Sequence, residues 1–290
     1  KILEIASGHG QQITHIASEL DNVLVSSDED DRHLRSAEYA FTPSEVDEHI
    51  REILSKQVEG NSLKKVHLTS PLELNLDGPS WHTKLSEDGD ANHVPHVVLA
   101  FNLVHIAPWN VAESLFTGTA ALFSTSRDGE GDTVLTRVLV LYGAFNENGC
   151  FTSEGNQKVG CFDGFQLRVT KLSLAPKHDD QFDEVLKSRN EAYGLRDIQQ
   201  ELEPLAKSCG FELAKRREMP AGNVSALFMA GAPHVLLADE LKLLCTRFVG
   251  RAVVARILVA EERMRCSNKI ISLAIAPLHC PACRSILPSL

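Results

Sequence analysis

Two acids and a glycine turn stand close together near the start of the chain. Glu4 precedes Ala6-Ser7-Gly8-His9-Gly10, and Asp28 follows Gly8 by 20 residues. Glycines at this spacing let the backbone turn sharply and approach a ligand closely, and a helix that starts there aims unpaired N–H groups at it. In a dinucleotide fingerprint a third glycine would fall at position 13, where Ile13 stands, so a pyrophosphate ligand is disfavoured. An acid, a GxG turn and a second acid after the next strand suit instead a small cationic nucleoside such as S-adenosylmethionine, with Asp28 on the ribose hydroxyls. The same residues also fit an ordinary strand-to-helix turn flanked by solvated acids.

These groups need elements to position them. Ile2, Leu3 and Ile5 predict a first strand, and Ile13, Ile16, Ala17 and Leu20 recur at helical spacing after the turn. Val23-Leu24-Val25 reads as a second strand that closes at Asp28. Residues 44–54 predict a helix after Thr42-Pro43-Ser44. Residues 66–68 and 72–77 offer a short third strand that ends at Asp77, which either meets the adenine amino group or is a turn residue before Gly78-Pro79. The apolar run from Val97 fits a strand buried on both faces of a parallel sheet, and it leaves Asn102 and His105 at the open rim where such sheets place ligands. His105 is either a satisfied structural histidine or a proton acceptor for a substrate undergoing methylation. Residues 112–123 predict a helix, residues 124–132 a loop, and residues 134–141 a fifth strand that ends at Tyr142. Strands alternating with helices predict an open, mostly parallel α/β sheet.

A chain of 290 residues is long enough to bury a full core. Its net charge of −10 is uneven, with 21 basic and 35 acidic side chains over residues 1–229 against 8 and 4 over residues 230–290. The acidic body argues against a duplex nucleic-acid partner, because phosphate contacts dominate that affinity. No stretch approaches the length of a membrane span. Seven scattered cysteines do not form a disulfide framework, which predicts a reducing, cytoplasmic setting. The chain opens at Lys1 directly on the first strand, with nothing resembling a signal peptide.

With these stretches in view, the chain resembles a small methyltransferase-like family long filed as a domain of unknown function, the group containing methyltransferase-like protein 26. The matching stretches are LEIASGHGQ (3–11), SSDEDD (26–31), LNLD (74–77), FNLVHIAPW (101–109), LYGAF (141–145), FDEVLKSRNEAYGLRD (182–197) and MPAGNVSALF (219–228). The resemblance implies a Rossmann-like class I fold with a seven-stranded, mostly parallel sheet, an antiparallel last strand and helices on both faces. Residues 211–217 and 223–228 would be its closing pair. It implies S-adenosylmethionine as cofactor, held by Glu4, Ser7, Gly8, Gly10, Asp28, Asp77 and Asn102, and an unidentified small-molecule or peptide acceptor. Methyltransferases of this architecture also close the cofactor site with a segment ahead of the first strand, so such a segment is expected.

The sequence departs from the family pattern at several places. Leu24 stands where members tend to carry Trp ahead of the second acid, and Tyr193-Gly194 replaces Trp-Gly. An MPANN-like motif reads Met219-Pro220-Ala221-Gly222-Asn223. Residues 158–181 interrupt the family spacing, either as a lid over the substrate entrance or as a gene-model artefact. Residues 230–290 lie beyond the resemblance and predict an extension that is helical or partly disordered. In it His279-Cys280-Pro281-Ala282-Cys283 looks like half a zinc site, but a structural zinc needs four ligands and Cys245 and Cys266 do not form a second CxxC, so no metal is expected.

Methyl transfer needs positioning more than acid–base power, because the sulfonium is already activated. His105 is the first candidate base and Tyr142 the second, while Arg196 and Asp197 read as a structural ion pair or cap. Two other classes stay open: a cofactor-binding subunit without catalysis, and an NAD or nucleotide-sugar enzyme on a related sheet, against which Ile13 speaks.

Overall fold

The computed structural model describes residues 1–26, 39–85, 94–125, 137–151, 180–219 and 223–231. Strand β1 (Ile2–Ile5) is buried on both faces, which suits a run with no polar alternation except Glu4. It pairs in parallel with β2 (Tyr39–Pro43), Ile2 opposite Phe41, and with β4 (Val97–Phe101), Ile5 opposite Ala100. Strand β3 (Val66–Leu68) continues the parallel sheet beyond β2, and β5 (Val138–Glu147) continues it beyond β4. Strand β9 (Asn223–Ala230) runs antiparallel against β5, and β8 (Phe211–Glu218) antiparallel against β9. The order is β3-β2-β1-β4-β5-β9-β8; two further two-residue strands, β6 (Cys150–Phe151) and β7 (Arg196–Asp197), pair with the end of β5. The direction of winding reverses between β1 and β4, which opens a crevice at the carboxyl ends of those strands. This is the Rossmann-like class I methyltransferase fold anticipated from the sequence, with seven strands in its continuous order and, among the described residues, two short ones beside it.

Helices cover both faces. On one, α1 (Gln11–Ser26) lays Ile13, Ile16, Ala17, Leu20 and Leu24 over Phe41, Leu99 and Val140. Buried Asp21 of α1 accepts the backbone N–H groups of Lys64, Lys65 and Val66, and so pins the start of β3. Helix α2 (Glu48–Glu59) starts at Asp47, whose carboxylate caps the Ile50 N–H at 2.9 Å, and buries Leu54 and Val58. On the other face α3 (Trp109–Thr125), a 3-10 turn (Pro79–Leu85) and α5 (Glu203–Ser208) pack Phe116, Trp81 and Ala206 against Leu3, Val98 and Phe228. Helix α4 (Asp180–Arg189) follows at the carboxyl rim of the sheet. Among the described residues no helix is long and apolar enough to cross a membrane.

Two expectations need correction. Val23, Leu24 and Val25 are the last turns of α1 and not a strand, because the helical stripe runs on to Leu24, which is buried, while Val25 is exposed. The second strand is β2, which ends at Pro43. Residues 72–77 likewise contribute only a single bridge, Ser44 to Leu72, and the third strand stops at Leu68. The expectations for residues 27–38, 152–179 and 232–290, including Asp28, most of the interruption and the cysteine pair at 280 and 283, fall outside the described residues.

Candidate active site

The glycine turn is left-handed at three positions, Ala6 (φ 54°), Gly8 (φ 55°) and Gly10 (φ 79°). A side chain at Gly10 would start 2.4 Å from Leu54 Cδ1 of α2, so both the φ and the close approach require glycine. At Gly8 nothing among the described residues lies within 4 Å of the same point, and that side of the turn is open.

Ser44 and Glu45, directly after β2, hold the turn in place. The Ser7 N–H donates to the Ser44 carbonyl at 2.7 Å and the Ser44 N–H to Ser7 Oγ at 3.1 Å, while Ser44 Oγ donates to the Glu4 carbonyl at 2.8 Å. The Gly8 N–H donates to Glu45 Oε2 at 3.0 Å, and Glu45 Oε1 accepts from Val46 at 2.9 Å and Asp47 at 3.2 Å. Glu45 is the acid that follows β2, the second strand, whereas Asp28 lies outside the described residues. The large apolar residue ahead of it is Phe41, fully buried, and not Leu24.

Glu4 lies beneath the turn at 1% exposure, and among the described residues its Oε2 has no hydrogen-bond partner. Burial pushes its carboxyl up to about 8, partly opposed by the Ser7 hydroxyl, so the group is mostly protonated at neutral pH. Asp77 is exposed, and its hydrogen bonds are local, to Asn75 at 2.9 Å.

The β4–β5 side of the crevice is built differently. Asn102 follows β4 with φ 53° and donates its N–H to the Tyr142 carbonyl at 2.7 Å. The His105 ring packs onto Gly143 so closely that a side chain there would start 3.0 Å from Nδ1 and 3.5 Å from Asn102 Oδ1. His105 is 4% exposed and its buried Nδ1 has no partner among the described residues. Burial and then the Arg196 charge lower its pKa to about 4, so the imidazole is neutral at physiological pH. Successive strand residues point to opposite faces. Tyr142 therefore projects to the α1 face, its ring 5.9 Å from that of Phe101, while the Gly143 position faces His105.

The loop that carries His105 is tied from outside. Arg196 donates to the carbonyls of Val104 at 3.2 Å, Ala107 at 3.0 Å and Ala192 at 2.7 Å, and its guanidinium lies over Trp109. The Gly194 N–H donates to the His105 carbonyl at 3.0 Å. Asp197 caps the following turn through Gln200 and also accepts from the Gly149 N–H. The structure thus shows the cap, and gives Arg196 a backbone-gripping role.

The structure brings Glu4, Ser7, Gly8 and Gly10 together at one end of the crevice and Asn102 with His105 at the other. Sequence reasoning missed Ser44, Glu45, Gly143 and Phe182, whose ring meets His105 edge-on at 5.9 Å. The signal for Glu45 was present in Phe41-Thr42-Pro43-Ser44-Glu45, where a residue before proline is biased to extended backbone.

The strand order defines a Rossmann-like class I methyltransferase fold. The sequence matches the family described as "Protein of unknown function (DUF938)" over residues 1–173 and 169–230, and the chain belongs to that family. Among solved structures it is similar to a pericyclic reaction enzyme (TM-score 0.44, 11% identity, covering 80% of this chain and 42% of that one). It is also similar to human N-acetylserotonin methyltransferase in complex with SAM (0.43, 9%, 80% and 47%) and to the trans-methyltransferase CalH in complex with SAH (0.43, 15%, 80% and 51%). The chain thus spans about half or less of the length of these proteins.

Proposed function

We propose that this chain is an S-adenosylmethionine-dependent methyltransferase of the methyltransferase-like protein 26 group, acting on a small-molecule or peptide acceptor through a domain of residues 1–229. The observation that carries the reading is the Gly8–Glu45 hydrogen bond, which sets an acid beside an open glycine turn at the strand-order reversal. The residues present fit the cofactor: Gly8 leaves room for close approach, the α1 N-terminus supplies N–H groups, and Glu4 keeps a buried oxygen without a partner. Ser7, Gly8, Gly10, Glu45 and Asn102 would line its site, with Glu4 beneath them. Asp77 and Asp28 remain proposed contacts, the first an exposed group beyond β3. When bound, S-adenosylmethionine supplies a methyl group on a cationic sulfur that departs as a neutral thioether.

The chain's own part is to orient and to take a proton. His105, neutral and with Nδ1 free, accepts the proton that an acceptor O–H or N–H gives up as its new bond to carbon forms. With its pKa lowered to about 4 the imidazole is neutral when the acceptor arrives, and it carries charge only until it passes the proton on to water. Tyr142, on the opposite face of β5, is the second candidate.

Calorimetric titration with S-adenosylhomocysteine tests the reading. One-site binding in the wild type that is lost in Glu45→Ala is the expected result, and a wild type that does not bind overturns it. His105→Phe separates binding from chemistry, since it retains cofactor binding and loses transfer, whereas Tyr142→Phe keeps both.

A further inference from the structure

The carboxylate that accepts from Gly8 hangs from a short loop, residues 44–46, which joins β2 to α2. Ser7 fixes the start of this loop through Ser44. Leu72 lies alongside, accepting the Glu45 N–H at 2.9 Å and donating its own N–H to the Pro43 carbonyl at 3.0 Å. That leaves the loop carbonyls of Glu45 and Val46, and both accept from Arg51 Nη1, at 3.0 and 3.1 Å. One guanidinium nitrogen thus spans two successive peptide units at the residue that carries the acid. Arg51 Nη2 lies 3.5 Å from Glu73 Oε2, one residue beyond Leu72, and Lys84 of the 3-10 turn lies 3.7 Å from the other oxygen of Glu73.

Helix stability does not account for Arg51. It stands in the first turn of α2, where a cation opposes the helix dipole and an acid such as Glu48 is favoured. The pair with Glu73 does not account for it either, since that carboxylate is 56% exposed and exposed ion pairs contribute little. What remains is the grip on the two carbonyls, made by a side chain that is only 20% exposed. Leu54, three residues further along α2, lies where a side chain at Gly10 would go. The same stretch of α2 therefore braces the glycine turn and the loop of Glu45, the two partners of the Gly8–Glu45 contact.

Resting on the methyltransferase reading above, we propose that Arg51 is a positioning residue of the cofactor site: by holding the Glu45 and Val46 carbonyls it keeps the Glu45 carboxylate against Gly8, where the ribose hydroxyls would meet it. Arg51 acts through Glu45 and does not itself touch the ligand. A guanidinium suits the task because its planar fork reaches two carbonyls and a carboxylate at once, which a compact ammonium does not.

The test is hydrogen exchange at single backbone amides, followed by NMR on the full chain without ligand, together with calorimetric titration of S-adenosylhomocysteine. The Gly8 N–H reports the Glu45 contact, and the Asn102 N–H, bonded to the Tyr142 carbonyl, reports the far side of the crevice. In Arg51→Gln the Gly8 amide is expected to exchange about tenfold faster and S-adenosylhomocysteine to bind about tenfold more weakly, while Asn102 exchanges as in the wild type. Glu45→Ala gives the limit of both effects, Arg51→Lys restores part of each, and Glu73→Gln costs less than about twofold. Unchanged Gly8 exchange, unchanged S-adenosylhomocysteine affinity, or equal acceleration at Asn102, which marks a general loss of stability, overturns the positioning role. A wild type that does not bind S-adenosylhomocysteine, with Gly8 exchange still dependent on Arg51, overturns the methyltransferase reading instead and leaves Arg51 as the residue that holds Glu45.

Discussion

On the β1–β2 side of the crevice Ser7, Ser44 and Glu45 are fastened to backbone amides and carbonyls, whereas on the β4–β5 side a buried imidazole keeps a nitrogen free among apolar groups. The first arrangement fixes a shape in advance and suits a ligand that never changes. The second leaves a hydrogen-bonding group unspent and suits a ligand that arrives each cycle and departs altered. Preorganisation on one side and an open valence on the other are what a two-substrate transferase needs.

Removing the fastening carboxylate should separate the two sides most sharply. Glu45→Ala is expected to weaken S-adenosylhomocysteine binding by about 100-fold, the scale of hydrogen bonds to a charged group, and Asp28→Ala by a smaller factor. Calorimetry on the two variants decides which acid holds the ribose; the reverse ranking would return that role to Asp28.

Glycine substitutions come next. Gly10→Ala puts a methyl group into Leu54 and forces a left-handed φ, so thermal unfolding should show a loss of about 2 kcal/mol or more. Gly143→Ala presses on His105 instead, and should lower transfer while leaving S-adenosylhomocysteine affinity intact. If both variants lose cofactor binding equally, the crevice is one cooperative unit and the contrast fails.

The buried groups of the two sides also titrate in opposite senses. Between its ordinary 4.5 and about 8, folded Glu4 keeps a proton that the unfolded chain has released, so its contribution is complete below 4.5 and is lost as pH rises through 8. His105, lowered from 6.5 to about 4, contributes fully above 6.5 and loses its contribution as pH falls through 4. From pH 4.5 to 6.5 the two slopes oppose each other; from 6.5 to 8 that of His105 is gone, and Glu4 contributes a fall of up to about 1.4 kcal/mol per pH unit. Urea unfolding of Glu4→Gln should be flatter than wild type in that upper window. The same slope in both proteins would mean that Glu4 is ionised where it lies.

The smallest expected effect is at Ala6, whose φ of 54° is costly for any residue with a Cβ. Ala6→Gly should stabilise the protein by about 1 kcal/mol or less, the gain being limited by the greater freedom of glycine in the unfolded chain.

Much of this was legible in the sequence because period and burial agree in it. Ile2 to Ile5 and Val97 to Phe101 are apolar runs that only a doubly covered strand explains, and both occupy the sheet centre. The glycine turn was legible for the same reason: positive φ and close approach leave few residue types eligible. The second strand was misread because β-branched residues at the end of α1 mimic a strand, although Leu24 continues the helical stripe. Pro43 then disguised the true strand as a helix start. Glu45 followed from that error, since an acid is recognised only by the strand it ends. Phe182 and Gly143 were illegible in principle, because their meaning lies in meeting His105, across 77 and 38 residues of chain.

Strand β9 fills an interior slot, between β5 and β8, although it is the last strand of the sheet to be synthesised. Until it leaves the ribosome, β5 presents an open edge of valine, leucine and tyrosine. At translation rates of about 5–20 residues per second the stretch from Glu147 to Asn223 takes on the order of 10 s to appear, which is long for an unpaired edge. Pairing β5 therefore has to wait for a strand made long after it, and the interval is one in which an apolar edge stands uncovered.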